Sequence, residues 1–429
     1  MISTVLVVVL LLVFAFFAFV LAQYVMRENR VGRVRTIGSP DGRLSAGNEQ
    51  FRETFQLLTA TKLYPGNEVE VLFNGSETYP RLFDDLRAAK ELITWHVFWL
   101  RPGRLADELA DILIERAKSG VKIFFLMDAF GSKGFTDDYG ARLRAAGIEV
   151  AVFRPFHWRL LYKVQQRSHV RAVLIDGRVG WTGGFGIDDR WDGDGRHPGQ
   201  WRDTNVRVRG PAVDQLQASF VAAWAETMGE MLVGGGLFHA DDEPEGDVTC
   251  GLVYTQPALG TTQGERYFVL SISAAQERLW ITSPYFIPDD DFRELLYAAA
   301  ERGVDVRILT PGANNDKTSV MYASRSHYRQ LVEKGIRIWE YEPTMVHAKT
   351  LVADSVWFSV GTINFDNRSV MLNDEVTLVG WDERIGATLE QAFAGDLEHA
   401  REVTVEEVAR YSLMERVKQR FYRTFSAVL

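Results

Sequence analysis

The sequence predicts an α/β protein in which one strand–helix–strand unit occurs twice, behind an apolar N-terminal helix. Three observations support this prediction. A strand, a helix, a glycine and a second strand follow one another in each half, a histidine-centred motif occurs once in each half, and residues 5–22 are all apolar. Alternating strands and helices are typical of layered α/β folds and indicate mainly parallel strand pairing.

Length and composition limit the classes of protein. A chain of 429 residues is long enough for two or three domains, each with its own core. The single cysteine, Cys250, excludes a disulfide framework and a cysteine-based zinc site, which fits a reducing compartment. The net charge of −9 argues against a general nucleic-acid binder, because such proteins carry a basic surface.

The first 26 residues are predicted to be a transmembrane anchor. The 18 apolar positions from Val5 to Ala22, with their flanks, form a helix of roughly 30 Å, the thickness of a hydrocarbon core. A cleaved signal peptide is the alternative, but no positive residue precedes the run. The arginines that follow place the bulk of the protein in the cytoplasm by the positive-inside rule; they are Arg27, Arg30, Arg33 and Arg35.

The repeated unit can be followed along both halves. In the first half the predicted elements are a strand over 92–100, a helix over 105–119, Gly120 and a strand over 121–127. In the second half they are a strand over 278–286, a helix over 290–302, Gly303 and a strand over 304–309. The acidic stretch 239–247 separates the halves and is interpreted as a solvated linker.

The second half carries the motif VHAKTLVADS at 346–355. Its apolar positions alternate as in a β-strand, and this period puts His347 and Lys349 on the same face. Asp354 is seven positions from His347, so it faces the other way or begins a turn. An imidazole beside a fixed ammonium suits an anionic substrate such as a phosphodiester.

The first half carries a matching motif, SHVRAVLIDG at 168–177. His169 and Asp176 keep the spacing of the second copy, and Arg171 stands in the place of the lysine. Six residues then separate each aspartate from a glycine pair or glycine–threonine pair, Gly183-Gly184 in this half. One such motif is weak evidence, whereas two copies inside matching α/β units indicate a shared site.

These residues resemble the phospholipase D superfamily and, within it, the bacterial cardiolipin synthases. The resemblance extends from about Gly66 to the C-terminus. It rests on both motifs and on the stretches GWTGGFGIDDRW at 180–191, WRDTNVRVRGPAV at 201–213, TSPYFIPDDDF at 282–292 and VGTINFDNRS at 360–369.

The resemblance implies two α/β/α lobes related by a pseudo-twofold axis, with one active site in the cleft between them. The expected boundaries are an anchor at 1–26, a juxtamembrane linker at 27–65, a first lobe at 66–236, an acidic linker at 237–260, a second lobe at 261–408 and a basic amphipathic helix at 409–429.

The resemblance also implies the chemistry. One histidine attacks phosphorus to form a phosphohistidine, the other passes protons, and Arg171 with Lys349 holds the phosphate oxygens. His169 is favoured as the nucleophile by analogy with the family. No metal and no cofactor is expected, because two cations already stand at the phosphate.

Other site residues follow from the same resemblance. Asp203 and Glu375 match the carboxylates that orient the imidazoles, and Asn364 matches an asparagine that contacts phosphate. Gly183 and Gly184 belong to the site as the glycine pair after the first motif. Asp176 and Asp354 are included as motif members, although their spacing favours turns.

Two departures from the family pattern stand out in the first half. Arg171 replaces the usual lysine, which keeps the charge but changes a point charge into a planar fork. Gly186 stands where many members carry the counterpart of Asn364. The two halves are therefore expected to contact substrate unequally.

The C-terminal segment predicts an amphipathic basic helix. Leu413, Val417, Phe421 and Phe425 recur every fourth residue, with basic residues between them. This pattern is typical of a helix at the surface of an anionic membrane. The alternative is an ordinary helix packed on the catalytic body.

The predicted function is that of a phosphatidyltransferase that makes cardiolipin from phosphatidylglycerol, single-pass in the bacterial inner membrane with its catalytic part in the cytoplasm. A phospholipase D that releases phosphatidic acid shares every motif. A catalytically weakened lipid-binding scaffold is the non-enzymatic alternative, because Arg171 and Gly186 alter the first half. A nuclease of the superfamily is disfavoured by the acidic charge and the apolar segment.

Overall fold

The computed structural model describes residues 2–25, 31–37, 44–132, 137–156, 165–238, 244–258 and 260–426, and within the first range the side chains of residues 4–19. The helices are α1 Ile2–Val25, α2 Glu49–Thr59, α3 Asn74–Ala88, α4 Arg104–Lys118, α5 Asp137–Ala145, α6 Val213–Met228, α7 Gln263–Ala274, α8 Asp290–Glu301, α9 Thr318–Glu333, α10 Asn367–Met371, α11 Glu383–Leu397, α12 Val405–Ala409 and α13 Leu413–Arg423.

The strands fall into the same two halves as the sequence repeat. They are β1 Tyr64–Phe73, β2 Leu92–Val97, β3 Lys122–Asp128, β4 Glu149–Phe153, β5 Ala172–Ile175, β6 Val179–Gly183, β7 Trp201–Arg202, β8 Thr204–Arg209, β9 Val248–Thr255, β10 Arg278–Thr282, β11 Asp305–Thr310, β12 Arg337–Tyr341, β13 Met345–Val346, β14 Thr350–Ala353, β15 Trp357–Gly361, β16 Glu375–Trp381 and β17 Ala400–Glu402.

Fifteen of the described strands form one sheet, in the order β17-β12-β11-β10-β14-β15-β16-β9-β1-β8-β6-β5-β2-β3-β4. Counted outward from the central pair β1 and β9, the first half gives β8, β6, β5, β2, β3 and β4, and the second half gives β16, β15, β14, β10, β11 and β12. The motif strands β5 and β14 therefore occupy the same place in their respective halves.

Strand pairing differs from the sequence prediction. Only β2–β3, β3–β4, β10–β11, β11–β12 and the separate pair β7–β13 are parallel in the described residues. The central strands are antiparallel, because β5–β6 and β14–β15 are joined by short turns that reverse the chain. The expectation of mainly parallel pairing is wrong, although the predicted strand–helix–strand units are present.

The helices cover the sheet with apolar faces of helical period. In α4, Leu105, Leu109 and Leu113 recur every fourth residue and are buried against β2 and β3. In α8, the side chain of Asp289 accepts a hydrogen bond from the backbone N–H of Phe292 at 2.9 Å, which caps the N-terminus of the helix. These helices fix the outer strands, while the motif strands lie nearer the centre.

Two predicted linkers contain regular structure. Within 27–65, α2 packs Phe51 and Phe55 against Trp357 of β15, with ring centroids 4.9 and 4.6 Å apart. Within 237–260, residues 248–255 form β9 at the centre of the sheet. The linker boundaries are thus corrected, because charge and proline content did not reveal a strand buried between neighbours. Arg27, Arg30 and residues 239–243 lie outside the described residues.

The N-terminal apolar run forms α1, and the apolar side chains described in it, from Val5 to Phe19, are exposed. A search of the described residues for helices both long and apolar enough to cross a membrane finds none.

Candidate active site

Each motif histidine lies just before its strand and is held by the opposite half of the chain. The backbone N–H of His169 donates to the carbonyl of Asp374 at 2.8 Å, and that of His347 donates to the carbonyl of Arg202 at 2.6 Å. Next to the first bond, Ser168 and Asp374 form an isolated β-bridge. Next to the second bond, β13 pairs with β7. Each motif therefore begins outside the main sheet, not as the continuous strand predicted, and crosses to the other half.

The two imidazoles meet their carboxylates across the same boundary. Nδ1 of His169 is 2.9 Å from Oε2 of Glu375, and Nδ1 of His347 is 2.9 Å from Oδ2 of Asp203. Nδ1 of His169 is also 3.1 Å from the carbonyl oxygen of Thr362. The pairing is crossed, so each half supplies the acid for the histidine of the other. Nε2 of His169 is left for a substrate, whereas Nε2 of His347 lies beside the ammonium of Lys349.

The two cations of the motifs are buried beside the histidines. Nε of Arg171 donates to the carbonyl of Phe185 at 3.0 Å and a terminal nitrogen donates to the carbonyl of His169 at 2.8 Å. Nζ of Lys349 lies 3.0 Å from Nε2 of His347 and donates to that residue's carbonyl. Buried cations without a matching anion are costly, which makes this centre receptive to a phosphate.

The two orienting carboxylates differ in charge. Burial opposes ionisation of Asp203, but attraction from His347 in its protonated form and from Lys349, with hydrogen bonds from His347 and Trp191, lowers its pKa to about 2. Burial raises the pKa of Glu375 to about 7, against hydrogen bonds from Thr362 and neighbouring side chains. Near neutral pH, Asp203 is an anion, while Glu375 is divided between its two forms.

The histidines are both neutral in the substrate-free site. Burial lowers the pKa of His169 well below its ordinary value, and repulsion from Arg171, Lys349 and Lys317 lowers it further. Burial and Lys349 lower the pKa of His347, against the attraction of Asp203. The surroundings therefore keep both rings unprotonated until an anion enters the site.

The glycine pair makes room for one of the acids. A Cβ at Gly184 would lie 2.2 Å from Oδ1 of Asp203, and Gly183 has a φ of +148° with Asn205 equally close. In the second half Thr362 replaces the second glycine, and its hydroxyl donates to Glu375. The glycines therefore position Asp203 by allowing close approach and contribute no side chain to the site.

Packing explains why the first half has Gly186 where the second half has Asn364. A Cβ at Gly186 would lie 3.0 Å from Cβ of Trp99 and 3.1 Å from the ring of Trp191, which fills the space. Trp191 donates its indole N–H to Asp203 at 2.7 Å. In the second half, the Asn364 amide is bonded to Ser369 at 3.2 Å, and its oxygen has no partner among the described residues. The asparagine thus retains hydrogen-bonding capacity for a ligand.

Asp176 and Asp354 are placed away from the imidazoles, and their inclusion with the catalytic residues is corrected. Each lies at the opposite end of its motif strand from the histidine, in a positive-φ turn. Asp176 accepts backbone hydrogen bonds from residues 90–92, and Asp354 accepts them from residues 276–278. The odd spacing from each histidine already indicated that these aspartates do not share its face of the strand. The two carboxylates instead connect the start of β2 and of β10 to the motif strands.

A structural role for Asp354 predicts a loss of stability. Replacement by alanine leaves three backbone N–H groups without their acceptor and is expected to lower the free energy of unfolding by about 1–3 kcal/mol. Thermal unfolding of the purified full chain, with activity measured per folded molecule, checks this. Loss of activity in a variant with unchanged stability would contradict the placement.

Several residues at the site were not found from the sequence. The ring of Phe98 lies 4.8 Å from the His169 ring and 5.5 Å from the Arg171 guanidinium. Trp191 and Trp201 lie 5.2 and 5.0 Å from the His347 ring. Only the tryptophan-rich stretch 191–201 offered a signal, because aromatic residues are also ordinary core residues.

No group of three or more histidine, cysteine or acidic side chains within the described ranges is arranged to hold a metal ion.

The chain is similar to known proteins in sequence and in fold. Residues 269–397 match the family described as cardiolipin synthase, PLD-like domain. The chain is 35% identical over 436 residues to cardiolipin synthase 2 of Bacillus anthracis, which covers 97% of this chain and 84% of the relative. It is 36% identical over 365 residues to cardiolipin synthase A of Pseudomonas syringae pv. syringae, which covers 85% and 75% respectively.

A solved structure shows the same fold at low identity. Phosphatidylserine synthase of Haemophilus influenzae is 14% identical and superposes with a TM-score of 0.68 over 89% of this chain and 100% of its own. The fold likeness and the high coverage of the relatives lead to one assignment. The chain belongs to the cardiolipin synthase family of the phospholipase D superfamily, a family of phosphatidyltransferases.

Proposed function

We propose that this protein is a cardiolipin synthase that joins two phosphatidylglycerol molecules and releases glycerol. The observation that carries the proposal is the pair of crossed histidine–carboxylate contacts, His169 with Glu375 and His347 with Asp203, beside two buried cations. The similarity to named cardiolipin synthases supports the choice of lipid.

In the first step, His169 attacks the phosphorus of one phosphatidylglycerol through Nε2. Burial, together with three nearby cations, keeps this ring neutral, as a nucleophile must be. The glycerol alkoxide leaves and takes a proton from His347, whose imidazolium form is stabilised by the ionised Asp203. Arg171 and Lys349 stabilise the charge that grows on the non-bridging oxygens.

In the second step, neutral His347 accepts the proton of the glycerol hydroxyl of a second phosphatidylglycerol. That oxygen attacks the phosphatidyl–histidine, a P–O bond forms, and the P–N bond to His169 breaks. Cardiolipin leaves, and the proton remains on His347 for the next departure of an alkoxide. The difference between the two acids supports the assignment of His347 as the proton carrier and His169 as the nucleophile, because only Asp203, the partner of His347, is fully ionised at neutral pH.

We infer that the two sheet halves are lobes related by a pseudo-twofold axis, with the site at their boundary. The matching strand orders on either side of β1 and β9 support this inference. A first lobe that ends near residue 236 and a second that begins with β9 describe the halves better than the boundary at 261.

We also propose that α1 anchors the protein and that α13 lies on the anionic membrane surface, with the catalytic part in the cytoplasm. The exposed apolar side chains of α1 support an anchor. In α13, Tyr422 stacks on Tyr322 of α9 at 5.8 Å, while Leu413, Val417 and Phe421 stay exposed. Exposed arginines and a lysine flank this apolar face, as interfacial helices require.

Membrane contact of α13 predicts a change in the environment of residue 417. Cys250 is fully buried, so a Val417→Cys variant is expected to react selectively with a polarity-sensitive fluorophore. In vesicles that contain anionic lipid, the emission of the label should shift to the blue, and added salt should weaken the shift. A label at exposed Glu115→Cys on α4 is the control, and identical behaviour of the two labels would refute the contact.

The function is tested with purified full-length protein in phosphatidylglycerol vesicles, with the products resolved by mass spectrometry. Cardiolipin and glycerol, absent with a His347→Ala variant, support the proposal. Phosphatidic acid as the sole product would move the assignment to a hydrolase. No product at all would favour the lipid-binding scaffold and would make Arg171 the first position to restore to lysine.

A further inference from the structure

Cardiolipin formation puts two phosphodiester anions into one cleft, and this consequence of the proposed function requires a second cation. The reacting phosphate occupies Arg171 and Lys349, whose charges are buried next to the histidines. The acceptor phosphatidylglycerol carries its own phosphate on the same glycerol as its attacking hydroxyl. That second phosphate must therefore lie a few bonds away from the reacting phosphorus.

Lys317 is a cation in a suitable position. It immediately precedes α9, and its Nζ lies 4.7 Å from the ring centroid of Tyr285. The Tyr285 hydroxyl donates to Asp316 at 2.8 Å, which engages the neighbouring acid. Lys317 is exposed to solvent. Asp316 and Asp366 attract its charge, but neither forms an ion pair with it in the described part of the chain. The ammonium is thus accessible to an anionic ligand.

Strand pairing places Lys317 at the end of the sheet that carries the reacting groups. The Tyr285 ring next to its ammonium belongs to the segment that follows β10, and Thr282 at the end of β10 pairs with Thr350, the neighbour of Lys349.

The charge of Lys317 is one of three that lower the pKa of His169, with those of Arg171 and Lys349. Surrounding protein lowers the pKa of Lys317 itself, although its side chain reaches solvent. The coupling between Lys317 and His169 agrees with the placement that strand pairing gives.

Three arginines around the site are already paired with carboxylates. Arg154 contacts Glu226 and Asp374, Arg190 contacts Asp188, and Arg202 contacts Asp396. A phosphate would have to displace a carboxylate from each of these arginines. Lys317 requires no such exchange, so it is the better candidate for the second anion.

We propose that Lys317 binds the phosphate of the acceptor phosphatidylglycerol and thereby selects a lipid alcohol over water and neutral alcohols. In the second step the acceptor oxygen forms the bond to phosphorus, the P–N bond to His169 breaks, and the hydroxyl proton goes to His347. Lys317 takes no part in these bond changes. It is a positioning residue that holds the acceptor by an anion the competing nucleophiles lack.

A competition between two acceptors tests this assignment. Full-length protein in phosphatidylglycerol mixed micelles with a fixed concentration of ethanol should yield both cardiolipin and phosphatidylethanol. Lys317→Gln is expected to lower the ratio of cardiolipin to phosphatidylethanol roughly tenfold, which corresponds to about 1.4 kcal/mol of lost acceptor binding. Lys317→Arg should restore most of the ratio, because it keeps the charge.

The control is Lys334→Gln, which removes an exposed lysine just after the other end of α9 and should not change the ratio. If Lys317→Gln lowers both products by one factor, or neither, the assignment is overturned, since a purely electrostatic effect on His169 affects both products alike. A wild-type protein that forms phosphatidylethanol but no cardiolipin would overturn the proposed function as well. An altered ratio with normal wild-type synthesis supports both.

Discussion

Alanine at His169 or at His347 is expected to lower cardiolipin formation by roughly 10⁴-fold or more, because each imidazole takes part in both chemical steps. The two variants should nevertheless fail differently. His169 forms the bond to phosphorus, whereas His347 only transfers protons. A phosphatidyl ester of p-nitrophenol separates these roles, because its leaving group departs as an anion without protonation.

With this ester, His347→Ala should release one equivalent of p-nitrophenolate in a burst and then stop, with the phosphatidyl group bound to His169. His169→Ala should give no burst. Mass spectrometry of peptides from the quenched protein locates the adduct. An adduct on His347 in the His169→Ala variant would reverse the assignment of the two histidines. Lys334→Gln serves as the matched control, since this exposed lysine forms its ion pair with Glu301, outside both motifs.

The sequence predicted the components of the site better than their arrangement. The duplicated spacing identified His169 and His347, which the structure brings together at one boundary. It could not reveal that the acids cross between halves, because Glu375 is 206 positions from His169. The spacing of residues along the chain predicts which face of a strand each side chain occupies. Contacts between the two halves depend instead on how the halves pack.

The fold was predicted to a similar extent. Period and turn residues predicted the outer units, such as β2–α4–β3, because each is local in sequence. The central strand β9 was taken for linker, since its burial comes from neighbours distant in the chain. Lys317 was missed for a related reason: a lysine before a helix has no local feature that distinguishes it from a solvated charge.

The difference between the two acids predicts unequal effects of amide substitution. Asp203→Asn presents an N–H₂ donor to Nδ1 of His347 and favours the tautomer with the proton on Nε2, so the ring can no longer accept the substrate proton. A loss of about 10³–10⁴-fold is expected. At His169, the carbonyl of Thr362 also accepts from Nδ1, at 3.1 Å, and keeps the reactive tautomer. Glu375→Gln should therefore cost only about 10–100-fold by comparison.

The pH dependence distinguishes the two variants further. The pKa of Asp203 is about 2, so its contribution is constant over the working range. The pKa of Glu375 is about 7. Wild-type activity should therefore rise as pH increases through about 7, because Glu375 becomes a carboxylate that accepts the hydrogen bond from His169. Glu375→Gln should lose this rise, while Asp203→Asn, measured at higher protein concentration, should keep it. A rise that persists in Glu375→Gln would assign it to another group.

Stability should change in the opposite direction to activity at Glu375. Its pKa in the folded protein is raised, so the folded state prefers the protonated acid. The stabilisation is therefore fully present below the unfolded pKa and is lost as pH rises through about 7. Glu375→Gln removes this loss, and relative to wild type it should gain about 2 kcal/mol between pH 5 and pH 8. Thermal unfolding at both pH values measures the gain. A less active but more stable variant would show that the buried acid is kept at a cost in stability because it orients the nucleophile.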